Sequence, residues 1–139
     1  MEIRIANKSD KKSIMSLRYE VFVNEQNVPP EIEVDEYDAD ALHFIAESDG
    51  VAIGCARVVL SKNDAHIGRL AVSKSYRGNG IGSGICRFIL DYCLSNGYKN
   101  IWLNSQLHAV RFYEGLGFRK QGVMFYEAGI PHFKMSYLV

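Results

Sequence analysis

Apolar and polar positions change period several times along this chain. Residues 2–6, Glu-Ile-Arg-Ile-Ala, alternate with a period of two, which predicts a short half-buried strand. Ser9 or Asp10 can cap a helix by accepting hydrogen bonds from its orphan N–H groups. Ile14, Leu17, Val21 and Phe22 then fall at i, i+3, i+7 and i+8, one face of a helix that ends near residue 25. Pro29-Pro30 stops regular structure. Residues 41–48 and 51–60 read as strands joined at Asp49-Gly50, a strong hairpin signal. A break at Lys62-Asn63-Asp64 leads into a third strand over 66–72.

Beyond residue 75 the pattern turns helical. Ile81, Ile85, Phe88, Ile89 and Tyr92 form a stripe that Asn96-Gly97 terminates. Residues 100–104 form a short apolar strand, and Ser105 is placed to cap a second helix. The core face of that helix is Ala109, Phe112, Tyr113 and Leu116, and it ends at Gly115-Leu116-Gly117. Strands over 118–125 and 131–138 follow, with a turn at Ala128-Gly129. The order is β-α-β-β-β-α-β-α-β-β. The strand–glycine turn–helix–strand unit in the middle makes two neighbouring strands parallel and leaves the others antiparallel. This is a mixed α/β sheet with helices on its faces. No repeat, linker or low-complexity stretch divides the chain, and residues 1–139 read as one domain.

Composition narrows the class. The 139 residues are 47% hydrophobic, 23% charged and 12% aromatic, which are globular proportions. The 16 basic and 16 acidic residues cancel, so the basic excess of a dedicated nucleic-acid binder is missing. Three cysteines, an odd and low count, point to reduced thiols in a cytoplasmic protein. Met1 to Ala6 does not read as a signal peptide, no apolar run approaches a membrane span, and Tyr137-Leu138-Val139 is no lipidation motif. The four histidines, at 43, 66, 108 and 132, lack metal-ligand spacing, so no metal is expected. Residues 31–40 carry six acidic side chains and read as a solvated loop or short helix over one rim, which could steer a cationic partner.

The strongest local chemistry is Arg77-Gly78-Asn79-Gly80-Ile81-Gly82, between a strand end and a helix start. Such a terminus presents free N–H groups, and glycines allow an anion to approach closely. Arg77 can add a charge-assisted contact. The expected ligand is a phosphate or pyrophosphate. No Lys follows for a P-loop, and Ser83 stands where a dinucleotide fingerprint needs its third Gly. A tight turn that only packs the helix remains the other reading of these residues.

Several spaced motifs resemble one family. Arg77-x-x-Gly80-x-Gly82 after Gly68-Arg69-Leu70-Ala71-Val72 is similar to the acyl-CoA loop of the GCN5-related N-acetyltransferases (GNAT). Asn104-Ser105-Gln106, Ala109 and Phe112-Tyr113-Glu114-Gly115-Leu116-Gly117-Phe118 resemble the second signature of that family. Leu17-Arg18, Val21-Phe22-Val23, Glu25-Gln26, Val28-Pro29, His43 and Gly129-Ile130-Pro131-His132 are similar to its ElaA/YjcF-like branch.

The resemblance implies the GNAT fold: a mixed six- to seven-stranded sheet splayed at strands 4 and 5, flanked by about four helices. It implies acetyl-CoA as cofactor, with pantetheine on Leu70, Ala71 and Val72. The pyrophosphate would lie on Arg77, Gly78, Asn79, Gly80, Ile81 and Gly82, with Asn104 contacting cofactor or substrate. It implies direct attack of a primary amine of a small acceptor on the thioester, with Tyr113 protonating the thiolate. Arg18, Phe22, Glu25, Gln26 and His132 would lie near the acceptor. Many members carry a basic Glu on the fourth strand, where this chain reads His66, Ile67, Gly68, Arg69. Glu25, His43, Glu127, His132 or a water chain are left as candidates for the base. A homodimer is common among relatives. The alternative is a non-catalytic acyl-CoA-binding sensor or partner-binding module on the same fold.

Overall fold

The computed structural model describes residues 1–138. Its strands are β1 (Glu2–Ile5), β2 (Leu42–Ser48), β3 (Val51–Ser61), β4 (Asp64–Val72), β5 (Asn100–Gln106), β6 (Phe118–Glu127) and β7 (Ile130–Tyr137). Its α-helices are α1 (Lys11–Arg18), α2 (Pro30–Glu33), α3 (Ile81–Ser95) and α4 (Val110–Gly115). The seven strands form one sheet in the order β1-β2-β3-β4-β5-β7-β6. The β4–β5 pair is parallel and every other neighbouring pair is antiparallel. The long connection through α3 is what a parallel pair requires.

Both faces are packed. Phe44, Val58, Ile67, Ile85, Ile89, Leu103, Phe118 and Met135 form the larger core beneath α3 and α4. Ile14, Leu17, Val21, Phe22, Ile45, Cys55 and Ala71 form the smaller one on the opposite face. The apolar stripe Ile14-Leu17-Val21-Phe22 is thus buried as its spacing predicts. The coil beneath it changes, however: α1 ends at Arg18 and runs directly into a π-helical stretch, Tyr19–Glu25. Ser105 departs further from expectation. It is not a cap but the sixth residue of β5, paired with Phe133 of β7, and its Oγ donates to the Gln106 carbonyl. The helix begins only at Val110, after a 3₁₀ turn at Leu107–Ala109. Cross-strand pairing with β7 outcompetes the local capping tendency.

The helix after the glycine turn sits very close to the sheet. A Cβ built on Gly54 of β3 would lie 2.8 Å from Ile85 Cδ1 and 3.0 Å from Ile81 Cγ2. Both isoleucines belong to α3 and both are buried. Gly54→Val is therefore expected to cost about 1–3 kcal/mol through overpacking. Urea unfolding reads this as a lower midpoint at unchanged slope.

Candidate active site

The parallel ladder between β4 and β5 is short. It runs from Asp64–Asn100 to Ile67–Leu103 and stops, although both strands continue. The cause is a bulge in β4. Opposite β3, Arg57 pairs with Gly68 and Cys55 with Ala71, so β4 holds one extra residue. Arg69 takes φ 52° there, a left-handed conformation that a non-glycine residue adopts only when held. The holding contacts are Arg69 Nε and Nη2 donating to the Glu33 carbonyl at 3.0 and 2.8 Å. Past the bulge, Ala71 and Val72 keep β3 on one side, and Leu70, Ala71 and Val72 have lost β5 on the other.

This free edge leads to the glycine turn. Gly78 and Gly80 take φ 80° and 78°, and a Cβ at either would meet open space. Gly80 is the N-cap of α3 and no side chain caps the helix. Its first-turn N–H groups therefore remain available for an anion. Asn79 instead braces the loop, with Nδ2 donating to the Tyr76 carbonyl at 3.0 Å. Arg77 is already engaged: Nε donates to the Val72 carbonyl at 2.9 Å, and Nη2 lies 2.7 Å from Glu25 Oε1. Glu25, expected beside an acceptor, is therefore an ion-pair partner of the loop.

A cleft of about 900 Å³ opens where the two strands part. Phe22, Gln26, Leu70, Asn104, Tyr113 and His132 all line it, so the structure brings together residues from five separate segments. Gln106 Nε2 donates to Gln26 Oε1 at 2.7 Å, linking β5 to the end of the π-helical stretch. Tyr113 is 9% exposed and packs edge-on against Phe112 and Phe118, with ring centroids 5.0 and 6.0 Å away. Burial, with the Cys86 thiol nearby, pushes its phenol well above the usual range. The proton therefore stays on Tyr113 at any physiological pH.

Arg18 does not reach this cleft. It is 1% exposed, and Nε donates to Glu33 Oε2 at 2.8 Å while Nη1 donates to Asp38 Oδ1 at 2.7 Å. Arg57 Nη1 lies 2.6 Å from Asp35 Oδ1 and 3.2 Å from Asp38 Oδ1, and Arg69 Nη2 lies 3.1 Å from Asp35 Oδ2. The acidic segment begins as the short helix α2, and three of its carboxylates, Glu33, Asp35 and Asp38, are matched by three arginines from α1, β3 and β4. Glu31, Glu36 and Asp40 remain exposed. Burial alone would raise the Asp38 carboxyl, but Arg18, the Asp35 amide and Arg57 together hold it well below the usual carboxylate range. The ion cluster ties the α2 segment over the β4 bulge.

Two cleft residues carried no sequence signal. His66 of β4 stacks on Trp102 of β5, with centroids 3.7 Å apart and planes 4° apart. Burial and the neighbouring Arg57, Arg69 and Lys134 cations push its imidazole down to about 4. The other candidate bases separate clearly. His43 Nε2 is hydrogen-bonded to the Asp38 carbonyl at 3.0 Å, away from the cleft lining. Glu127 and His132 both line the cleft and lie together, His132 Nε2 being 3.6 Å from Glu127 Oε2. The three cysteines are free and buried. Burial pushes Cys55 and Cys86 up to about 12 and Cys93 up to about 11, so all remain unreactive thiols. Among the described residues, no group of three or more His, Cys, Asp or Glu side chains could hold a metal ion, and no helix is long and apolar enough to cross a membrane.

A sheet split at a bulged fourth strand, with a glycine turn at the end of the split, defines the class. The chain belongs to the GNAT acetyltransferase family: the acetyltransferase (GNAT) domain model matches residues 5–139. It is an acyltransferase of that family. "Uncharacterized N-acetyltransferase YjcF" of Bacillus subtilis (strain 168) is 34% identical over 130 residues, 93% of each chain. The crystal structure of Escherichia coli ElaA superposes with a TM-score of 0.90 at 28% identity, covering 99% of this chain and 100% of that one. An aminoglycoside 6'-N-acetyltransferase complexed with coenzyme A shares the fold, with a TM-score of 0.79 at 16% identity over 98% and 96% of the two chains.

Proposed function

We propose that this protein is an acetyl-CoA-dependent N-acetyltransferase that moves the acetyl group directly to a primary amine of a small acceptor. One observation carries the reading: the β4 edge left free of β5 is followed, after a 3₁₀ turn at Lys74–Tyr76 and the glycine turn, by an uncapped helix N-terminus. The edge offers backbone groups to the amides of an extended pantetheine arm, as an added strand would. The terminus, from Arg77 to Gly82, offers N–H groups to the pyrophosphate that follows. The complex of the aminoglycoside N-acetyltransferase with coenzyme A supports this choice of ligand.

In this reading Leu70, Ala71 and Val72 hold pantetheine, and a backbone N–H among them polarises the thioester carbonyl. Asn104 faces the same cleft from β5. Phe22, Gln26 and His132 line the acceptor side. Tyr113 donates its proton to the departing thiolate. Three buried, free cysteines suit the reducing cytoplasm. A thermal-shift titration tests the reading, with ATP and NAD as controls. Acetyl-CoA at ~100 times its Kd should stabilise the protein by about 2.7 kcal/mol. No shift at millimolar acetyl-CoA would reduce the glycine turn to a packing device and overturn the proposal.

A further inference from the structure

We propose that His132, backed by Glu127, takes the proton from the attacking amine; the inference rests on the transferase reading above.

The argument begins with the ring's own hydrogen bond. His132 Nδ1 lies 2.7 Å from the Ile130 carbonyl oxygen. A carbonyl can only accept, so Nδ1 carries the hydrogen. In the neutral ring this leaves Nε2 with a lone pair. Packing then fixes the ring plane: His132 is 6% exposed and stacks on Phe125, with centroids 5.9 Å apart and planes at 23°. Its strand register points the same way. His132 pairs with Gln106 at the open end of β5, beyond the point where β4 departs, and both residues line the cleft.

Glu127 supplies the second element. Its Oε2 is 3.6 Å from Nε2, beyond hydrogen-bonding distance, and a carboxylate, being only an acceptor, leaves the lone pair free. Once Nε2 gains a proton the two form an ion pair, which stabilises the imidazolium as it appears. The other imidazole nearest the reacting strands lacks this support. His66 is stacked flat on Trp102 and faces three cations, which disfavour a proton on it. Glu25 and His43 are committed to Arg77 and to the Asp38 carbonyl.

The proposed step balances. The amine nitrogen forms a bond to the thioester carbonyl carbon, and the carbon–sulfur bond breaks. One amine proton passes to His132 Nε2, and the thiolate receives the Tyr113 proton. Amide and free thiol leave, and transfer of the His132 proton to the tyrosinate, through water, restores both groups.

The test uses the full chain with acetyl-CoA and three probe amines: butylamine, tyramine and glycinamide. Thiol release reports turnover, and calorimetry reports acetyl-CoA affinity. His132→Gln keeps the side chain polar and should lower kcat by about 10²–10⁴-fold, the usual contribution of a positioned acid or base. Acetyl-CoA affinity should not change. Added imidazole should restore part of the kcat lost in His132→Gly, which a purely structural defect would not allow. Glu127→Gln should lower kcat by less and leave the KM for acetyl-CoA where it was. Full kcat in His132→Gln, or no rescue by imidazole, overturns the assignment while leaving the transferase reading intact. Absence of transfer by the wild-type chain to every probe overturns both.

Discussion

Tyr113→Phe should lower kcat by about 10²-fold or more while acetyl-CoA binding and folding stay close to wild type. The split follows from where the hydroxyl sits. The ring fills the core between Phe112 and Phe118, and phenylalanine keeps those edge-on contacts. The hydroxyl makes no hydrogen bond to protein among the described residues, so its loss strands no partner. In the proposed mechanism, what disappears is the proton that Tyr113 would give the departing thiolate. Burial holds that proton on the phenol up to strongly basic pH, so Tyr113 adds no basic limb to the activity profile of the wild type. Steady-state kinetics with a calorimetric Kd measures both halves of the expectation. A sensor that binds acyl-CoA without turnover would show no kcat to lose. A fall in affinity equal to the fall in rate would make Tyr113 a packing residue.

The largest stability effect is expected at Arg18. Arg18→Met should destabilise the fold by about 3–5 kcal/mol, because Glu33 and Asp38 would keep their charges in a buried place without their main partner. Glu33 is 5% exposed and Asp38 side-chain exposure is 8%. Such a loss is a large share of the roughly 5–15 kcal/mol that holds an ordinary domain together. The pH dependence has a definite sign. Asp38 is more acidic folded than unfolded, so its contribution is full above the ordinary carboxylate pKa of about 3.9. That contribution is lost as pH falls below this value toward the depressed one. In Arg18→Met that contribution is already gone, so its stability deficit relative to wild type should shrink as pH falls below about 3.9. Urea unfolding at neutral pH and at about pH 3 measures both. A midpoint within experimental scatter of wild type would remove the claim that the cluster holds the fold.

Periodicity carried most of the fold because each element buries one face. The Ile81-Ile85-Ile89 stripe is a local signal that the structure packs as expected, whereas the alternation at 2–6 gives a strand in which Ile3 is half-buried but Ile5 is exposed. The glycine turn was legible as a turn because four glycines fall within nine residues, two of them, Gly78 and Gly80, at positive φ. The ion cluster was not legible. Its partners stand 15 to 22 residues apart in the contacts of Arg18 and Arg57, and only the fold selects them from sixteen acids and sixteen bases. Ser105 misled because capping is judged from the following residues, whereas its backbone was claimed by a strand that comes 25 residues later. The His132–Glu127 approach crosses the β6–β7 turn; both residues stood among the candidate bases, but their pairing depends on the hairpin register.

The early end of the β4–β5 ladder also bears on aggregation. A bare strand edge is a template onto which another chain can pair. Here the bare stretch is short and interrupted by a bulge, with the Arg69 guanidinium fastened to the Glu33 carbonyl alongside. It also lies recessed within a cleft whose other wall is β5. A short, bulged and recessed edge is a poor template for strand pairing between copies of the chain.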